Sequence, residues 1–273
     1  MMIDLVSKLP ELDKKLIELL ESLSPDEWQK QTVARLWKVK DVAAHLLDGN
    51  IRILSGLRDA YQGDKSEINS YQELVDYLNR LNADWVKAMK RVSPQILIDL
   101  LKHTGPAFCA YYASLNLFDK AQYSVAWAGE NESKNWMHIA REYTEKFLHQ
   151  QQIRDAVDKQ GIMNREFYHP FLNVCMYALP IALKNAKVPA ETVIKLTVSG
   201  EAGGSWVAKF NGINWELSNM NTISPEADIT IKPDAAWKLF SKSKRAHELQ
   251  DSIRITGNHE LAEIALKMVS FMA

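Results

Sequence analysis

One segment of the sequence, Trp136 to Lys159, combines a helical pattern with polar residues along one face. At ~100° per residue, side chains three or four positions apart share a face of a helix. The polar members of this face are His138, Arg141, Glu142, Glu145 and His149. Apolar residues on either side predict a partly buried helix with the polar face turned inward. Glu145 and His149, one turn apart, have the spacing at which one helix can bind a divalent cation with two side chains.

A third candidate ligand, His45, lies on another predicted helix. Its apolar neighbours within residues 41–50 are Val42, Ala43, Leu46 and Leu47. Two ligands from one helix and one from another leave a coordination position open, which is typical of catalytic rather than structural zinc. Each feature alone is more typical of a surface pair or a core histidine, so the hypothesis depends on their convergence. Asp48, near His45, is a candidate either to orient that imidazole or to cap the helix at Gly49.

Composition and charge exclude several classes of function. The chain has 273 residues, enough for two domains with a core each. Its 33 basic and 34 acidic residues form no long run of one sign, which argues against binding to nucleic acid or to an anionic membrane. Cys109 and Cys175 lie in apolar helical surroundings and are interpreted as reduced core residues of a cytoplasmic protein. No apolar run reaches ~18 residues, so we expect neither a membrane span nor export.

The first part of the chain, residues 1–162, is predicted to be a helical bundle. Leucines on a helical repeat indicate a helix over residues 3–23, with Pro10 at a bend or boundary. Ser24-Pro25-Asp26-Glu27 has the form of a capping box. Later helices are predicted over residues 38–61, ending at Gln62-Gly63-Asp64, then from Ser70 to Met89, from Ser93 to Leu117, and from Trp136 until Gly161. Long helices joined in this way indicate an up-and-down bundle, in which metal sites are built from facing helices.

The remaining residues, 163–273, are predicted to form a small α+β domain. One more helix is expected over residues 165–186, after which the pattern changes from helical to alternating. The predicted strands are residues 193–198, 205–210, 215–217, 227–231 and 252–256, with helices over residues 233–240 and 258–272. The Asn211-Gly212 pair between two strands is a strong hairpin signal.

Several of these segments resemble a known family. WKVKDVAAHLLDGN, VAWAGE and NWMHIAREYTEKFLHQQQIRDAV are similar to the metal-binding DinB-like bundle of the mycothiol-dependent maleylpyruvate isomerases. GEAGGSWVAKF, NWEL, ADITIKPDAAWKLFSK and IRITGNHELAEIALKMVSFMA are similar to the carboxyl-terminal domain of the same proteins, which resembles sterol carrier protein type two. The resemblance covers nearly the whole chain. It implies a DinB-like four-helix bundle followed by a sterol-carrier-like α+β domain.

The resemblance also implies a ligand set and candidate catalytic residues. The family binds a divalent metal, usually zinc, through residues that match His45, Glu145 and His149. The resemblance implies that His138 has a supporting or structural role and that Arg141 pairs with a carboxylate. The isomerases use an arginine from the carboxyl-terminal domain, in a stretch similar to WKLFSKSKR.

Around this arginine position the chain departs from the family. Lys242 is the nearest match and Arg245 lies beyond it, and these two residues are the candidate catalytic cations. Lysine presents a point charge in place of a bidentate fork, which would alter recognition of a carboxylate.

The implied function is metal-dependent chemistry with a low-molecular-weight thiol, such as mycothiol, bacillithiol or glutathione. The thiol would add to a small, acidic, electrophilic substrate in an isomerase, or remain in the product in a transferase. A competing hypothesis is a small-molecule or lipid-binding protein, whose apolar ligand would lie among Trp206, Phe210, Trp237 and Phe240. A third is a metal-stabilised bundle that only dimerises, and the sequence is compatible with a monomer or a homodimer.

Overall fold

The amino-terminal half of the chain is helical, as the spacing of its leucines predicts. The structure is a computed structural model that describes residues 2–61, 63, 67–218 and 224–271. The long helices of this half are α1 (Lys8–Glu21), α2 (Val39–Ile53), α3 (Tyr71–Met89), α4 (Pro94–Ala113) and α5 (Asn135–Val157). Helix α2 contacts α4 and α5, α1 also lies against α4 and α5, and α3 packs on α2. The prediction of a helical bundle is therefore confirmed.

An apolar core holds these helices together. It includes Leu16, Leu20, Val42, Leu47, Leu97, Leu101 and Ile153, none of which is more than 2% exposed. Burial of one such side chain contributes about 1.5–3 kcal/mol of stability, so the core supplies the main driving force for bringing α2 and α5 together.

Helix α1 begins at Lys8, five residues later than predicted. Pro10 lies in its first turn, where the missing N–H costs no intrahelical hydrogen bond, so it marks the start of the helix and not a bend within it. The predicted capping box is present after α1. Glu27 N–H donates to Ser24 Oγ at 3.3 Å, and Ser24 N–H donates to the Glu27 carboxylate at 2.7 Å.

Four other helices end before the predicted positions. Among them, α4 stops at Ala113 instead of Leu117, and the last helix of the described chain stops at Ala265. Helix α2 passes at Ile53 into a π-helix, Leu54–Arg58. Two residues of the predicted stop, Gln62 and Asp64, lie outside the described residues. Helix α5 ends at Val157, ahead of Gly161, because Asp158 adopts a left-handed conformation with φ of 56°.

The carboxyl-terminal part opens with two short helices, α6 (Arg165–Cys175) and α7 (Leu179–Leu183), joined by a 3-10 turn. The prediction of a single helix over residues 165–186 is wrong at this turn. Pro180 is in the first turn of α7, and its ring nitrogen cannot donate to the carbonyl of Met176 as a continuous α-helix requires.

A five-stranded sheet follows, with strands in the order β3-β2-β1-β4-β5. The strands are β1 (Val193–Val198), β2 (Gly204–Phe210), β3 (Trp215–Ser218), β4 (Ala227–Ile231) and β5 (Ile253–Gly257). β1 and β4 pair in parallel and the other neighbours are antiparallel. Residues of β1 and β4 alternate between buried and half-buried over most of their length, which is the period-2 pattern read from the sequence. Helix α8 (Pro233–Phe240) follows β4 and α9 (His259–Ala265) follows β5.

Contacts divide the described chain into two compact units. The first extends to Gln122 and includes Lys134–Ile162, and the second comprises Tyr123–Ser133 and Met163–Phe271. The predicted fold class, a helical bundle followed by an α+β part, is confirmed, whereas the domain limits 1–162 and 163–273 stay a prediction. Among the described residues, none of the helices combines the length and the apolar character that a bilayer crossing requires.

A buried lysine joins four helices of the first unit. Lys146, on α5, is only 6% exposed. Its ammonium donates to Asn50 Oδ1 on α2 at 2.7 Å, lies 3.7 Å from Asp13 Oδ1 on α1, and stands 4.2 Å from the centre of the Phe108 ring on α4. The Asn50 amide in turn donates to Thr104 Oγ1 at 3.0 Å. A buried ion pair adds little net stability, but it fixes which turns of the helices face one another.

Replacing Lys146 by Met is expected to lower the free energy of unfolding by about 3–5 kcal/mol, because the Asp13 carboxylate then loses its buried counter-ion. Burial already raises the pKa of Asp13 in spite of Lys146, so the folded variant binds a proton more tightly than the unfolded chain. The loss of stability should therefore shrink as the pH falls. Chemical denaturation followed by circular dichroism at several pH values measures both effects.

The matched control is the double variant Asp13→Asn, Lys146→Met, which leaves no buried charge in this network. It should recover most of the lost stability and show little dependence on pH. A single variant as stable as the unmodified protein would contradict this account of the Lys146 network.

Candidate metal centre

The three predicted ligands come together in the helical bundle. One ligand atom from each of His45, Glu145 and His149 lies within 4.8 Å of the other two. Ligand atoms bound to one tetrahedral cation at ~2.1 Å stand about 3.4 Å apart. Glu145 Oε2 and His149 Nε2 already have that separation, at 3.4 Å. The largest separation is no more than 4.8 Å, so it needs to close by about 1.4 Å at most, which rotation of the side chains provides.

The packing of α2 against α5 produces this arrangement. The His45 and His149 rings have their centroids 4.6 Å apart, and the Lys146 ammonium reaches Asn50 at 2.7 Å. Residue numbers therefore rise along α2 as they fall along α5, so the helices are antiparallel. In this register the turn of α2 that carries His45 faces the turn of α5 that carries Glu145 and His149.

A hydrogen bond to Gln152 orients the His149 imidazole. His149 Nδ1 lies 2.9 Å from the amide oxygen of Gln152, one turn further along α5. An amide oxygen can only accept, so Nδ1 carries the proton and donates. The proton-free Nε2 then faces Glu145, with its lone pair available to a cation.

The His45 imidazole is buried without a hydrogen bond at one of its nitrogens. Its Nδ1 finds no partner in the described part of the chain. Burial, helped by the charges of His149 and Arg52, holds the pKa of His45 well below its ordinary value, so the ring is neutral at pH 7. A neutral imidazole with an unsatisfied buried nitrogen is costly unless a ligand occupies that side.

Glu145 supplies the negative charge of the cluster. Burial on its own would raise the pKa of this carboxyl, but the neighbouring His149 ring and the positive charge of Arg141 outweigh burial and hold the pKa below its ordinary value. One carboxylate and two imidazoles are donors that zinc and similar divalent cations accept. The residues present therefore fit such a cation.

Trp37, in the loop before α2, borders the cluster. Its ring is half-buried, with its centroid 4.7 Å from that of His45 and 6.1 Å from that of His149. The loop before α2 holds it in place. The Trp37 carbonyl accepts hydrogen bonds from the Thr32 hydroxyl at 2.7 Å and from the Gln31 amide at 2.8 Å. Nothing in the local sequence distinguishes this tryptophan from a core residue, because its role arises from a contact between two helices and a loop.

The other polar residues of the predicted face, His138, Arg141 and Glu142, contact one another. Arg141 lies 3.2 Å from the Glu142 carboxylate and 3.4 Å from His138 Nε2. His138 also packs on the ring of Tyr112, with centroids 5.8 Å apart. Burial lowers the pKa of His138 to about 4. Within the described residues, His138 does not belong to the group of side chains that could hold a metal ion. The predicted polar face therefore divides into a candidate metal site and a buried ion-pair cluster.

Asp48 has neither of the two roles considered for it. Helix α2 continues through Gly49 to Ile53, so there is no helix end to cap. The unpartnered Nδ1 of His45 also excludes an orienting hydrogen bond from Asp48 to that nitrogen. The carboxylate instead lies 3.2 Å from the Nε atom of Arg52.

The predicted catalytic cations, Lys242 and Arg245, belong to the second unit, directly after α8. Lys242 has a left-handed backbone with φ of 58°, and burial together with the charge of Arg245 lowers its pKa. The backbone N–H of Arg245 donates to the Glu248 carboxylate at 2.8 Å. Their role in catalysis stays a prediction. Of the aromatic residues considered for an apolar ligand, Trp237 and Phe240 are fully buried core residues, which weakens the carrier hypothesis.

The two cysteines are not nucleophiles of this site. Cys109 and Cys175 are both buried and neither forms a disulfide. Burial raises the pKa of Cys109 to about 11 and raises that of Cys175 further, so neither forms a thiolate near neutral pH. A thiol reagent for the site would therefore come from outside the chain.

Comparison with known proteins agrees with the two-part fold. The family model of the mycothiol maleylpyruvate isomerase N-terminal domain matches residues 9–154, more than half of the chain. Two similar solved structures are crystal structures of the mycothiol-dependent maleylpyruvate isomerase, one of them a histidine-to-alanine mutant. The mutant is 7% identical with a TM-score of 0.56, and the other is 8% identical with a TM-score of 0.51. Each comparison covers 92% of this chain and 91% of the other. No curated protein is significantly similar in sequence.

Replacing Gln152 by Leu is expected to weaken Co²⁺ binding roughly 10- to 100-fold, because the His149 ring then loses the acceptor that fixes its tautomer. Optical titration of the purified protein with Co²⁺ measures the affinity. The ¹⁵N chemical shifts of the His149 imidazole in the metal-free protein should show the proton on Nδ1 before the substitution and a mixture of tautomers after it. Gln151→Leu, at a neighbouring buried glutamine, is the control, and equal Co²⁺ affinities of the two variants would contradict the role of Gln152.

Proposed function

This chain belongs to the mycothiol maleylpyruvate isomerase N-terminal domain family, and on that premise we propose that it is a metal-dependent isomerase that uses a low-molecular-weight thiol. The observation that carries the proposal is the convergence of His45, Glu145 and His149 from two antiparallel helices. Three protein ligands leave a coordination position for an exogenous group, as catalytic zinc sites do. The proposed metal is zinc, and the proposed thiol is mycothiol or a related compound such as bacillithiol or glutathione.

When bound, the cation would supply a Lewis acid that keeps a thiol deprotonated near neutral pH. The side chains of the chain prepare the site for it. His45 stays neutral in its buried position, and Gln152 keeps the proton of His149 on Nδ1, away from the cluster. Glu145 offsets the positive charge that a divalent cation brings. Trp37 covers the two imidazoles on one side and keeps water from that side.

The substrate we propose is a small acidic molecule with an activated carbon–carbon double bond. The thiolate sulfur bonds to one alkene carbon, and the electron pair of the double bond moves towards the conjugated carbonyl. Rotation about the resulting single bond follows, and expulsion of the thiolate restores the double bond with the other geometry. The thiol is regenerated, so the step needs no oxidant or reductant. In a transferase, by contrast, the sulfur would stay in the product, which product analysis distinguishes.

The names of the similar proteins support the isomerase and suggest maleylpyruvate as the first substrate to assay. Lys242 and Arg245 remain candidates for a catalytic role, with a point charge at Lys242 in place of an arginine fork. We expect the protein to act in the cytoplasm, as a monomer or a homodimer.

Metal analysis tests the ligand assignment. Protein purified without a nickel column is expected to hold about one zinc per chain, whereas His45→Ala, Glu145→Gln and His149→Ala should lose most of it, since three ligands are the minimum of a catalytic site. His103→Ala removes an exposed histidine of the same bundle and is the matched control. Stoichiometric metal in His45→Ala would refute the assignment.

Thiol titration tests the chemistry. The Co²⁺-substituted protein should change its optical spectrum on addition of the correct thiol, because sulfur ligands give charge-transfer bands that oxygen and nitrogen do not. The same thiol should be required for isomerisation of maleylpyruvate. A protein that binds Co²⁺ but responds to none of mycothiol, bacillithiol and glutathione would overturn the thiol-dependent part of the proposal.

A further inference from the structure

Arg52 lies on the same face of α2 as His45, two turns further along the helix. Seven residues at ~100° each bring a side chain back to within about 20° of its starting direction. Both residues therefore point towards α5, and nothing in the sequence pattern had marked Arg52 as a site residue.

The Arg52 side chain runs back along α2 towards His45. Its Nε atom lies 3.2 Å from Asp48 Oδ2, one turn closer to His45 than the Arg52 backbone. Side chains of a helix lean towards its amino terminus, which agrees with this direction. The guanidinium group beyond Nε is thus brought towards the turn that carries His45. Asp48 is itself buried, with 9% of its side chain exposed, and holds Arg52 through an ion pair rather than a hydrogen bond.

The antiparallel register places Arg52 at the Glu145 end of the candidate site. Along α5 the position opposite Asn50 is Lys146, so Arg52 lies beyond Glu145 on that side. Because the Arg52 side chain runs back along α2 from this position, its cation is brought towards a charged molecule bound beside the candidate ligands.

Arg52 is also more available than the other cations of this region. Arg141 is held by Glu142 and His138, and Lys146 is buried against Asn50. Arg52 has 40% of its side chain exposed, and Asp48 is its one partner within the described chain. Two terminal N–H₂ groups are thus left for a ligand, in the fork that matches a carboxylate.

We propose that Arg52 binds the carboxylate group of the substrate, so that the helical bundle supplies its own arginine fork beside the metal ligands. This inference rests on the proposed function. It assigns Arg52 to recognition of an acidic substrate, with Asp48 as the residue that positions it. The class of ligand is a small molecule with a carboxylate next to its electrophilic carbon.

The test uses Arg52→Gln and Arg52→Lys in the full-length, Co²⁺-loaded protein, with malonate as the carboxylate probe in isothermal titration calorimetry. Arg52→Gln should weaken malonate binding roughly 10- to 100-fold, the range for loss of hydrogen bonds to a charged group. The malonate affinity of Arg52→Lys should lie between those of Arg52→Gln and the unmodified protein, since lysine keeps the charge but not the fork. With maleylpyruvate, KM should rise by a similar factor while kcat changes little.

Arg58→Gln is the matched control. Within the described residues Arg58 pairs only with its exposed neighbour Asp59, so its replacement should leave malonate binding unchanged. The Co²⁺ spectrum and affinity separate the two proposals. Absence of a Co²⁺ site in the unmodified protein would overturn the proposed function. An intact Co²⁺ site with equal malonate binding in Arg52→Gln and the unmodified protein, or with no malonate binding in either, would overturn the role of Arg52 alone.

Discussion

The antiparallel contact between α2 and α5 is the constraint on which the candidate site depends. His45 comes from one helix and Glu145 and His149 from the other, so a slide of one helical turn, ~5.4 Å, would separate them. The Lys146 to Asn50 hydrogen bond holds this register, and Asp13 balances the charge that the bond brings into the core. Apolar burial drives the helices together, whereas this polar contact determines which turns meet. Stability and the position of the ligands thus have different origins in the same pair of helices.

Helix α5 carries more buried polar groups than an ordinary core helix, and each needs a partner to offset its desolvation. Gln150 donates to the carbonyl of Leu12 and Arg154 to that of Lys15, both on α1. These bonds tie α5 to the bundle and keep its inner face rigid. At the facing position on α2, His45 Nδ1 has no such bond in the described part of the chain. Other buried atoms of the two helices, such as Gln150 Oε1 and Asp48 Oδ2, also lack a hydrogen bond. Among the described residues, however, His45 Nδ1 is the one such atom that belongs to a candidate ligand, and a group bound at the candidate site would satisfy it.

Much of the fold could be predicted from the sequence, because helical and alternating periodicities are local properties. The spacing of Glu145 and His149 is local in the same sense, and the resemblance to the family linked both to His45. Three features could not be predicted in this way. Trp37 lies beside the imidazoles only because its loop folds over the helix pair, and Lys146 is recognisable as a buried link only once α1, α2 and α4 surround it. The interruption between α6 and α7 arises because Pro180 lacks a backbone N–H. The helical pattern of residues 165–186 does not indicate this interruption.

Membership of the family is informative about the chemistry proposed for the site, but less so about which substrate this chain binds. At 7–8% identity the solved structures share a fold with this chain, and a fold alone does not determine which acid is bound. The candidate metal ligands come from the inner faces of two helices, where substitution would disturb the packing. Arg52 lies at the partly exposed edge of the same face, where a change of residue costs little stability. With the role proposed for Arg52, substrate preference could diverge at that edge while the candidate ligand set stays fixed.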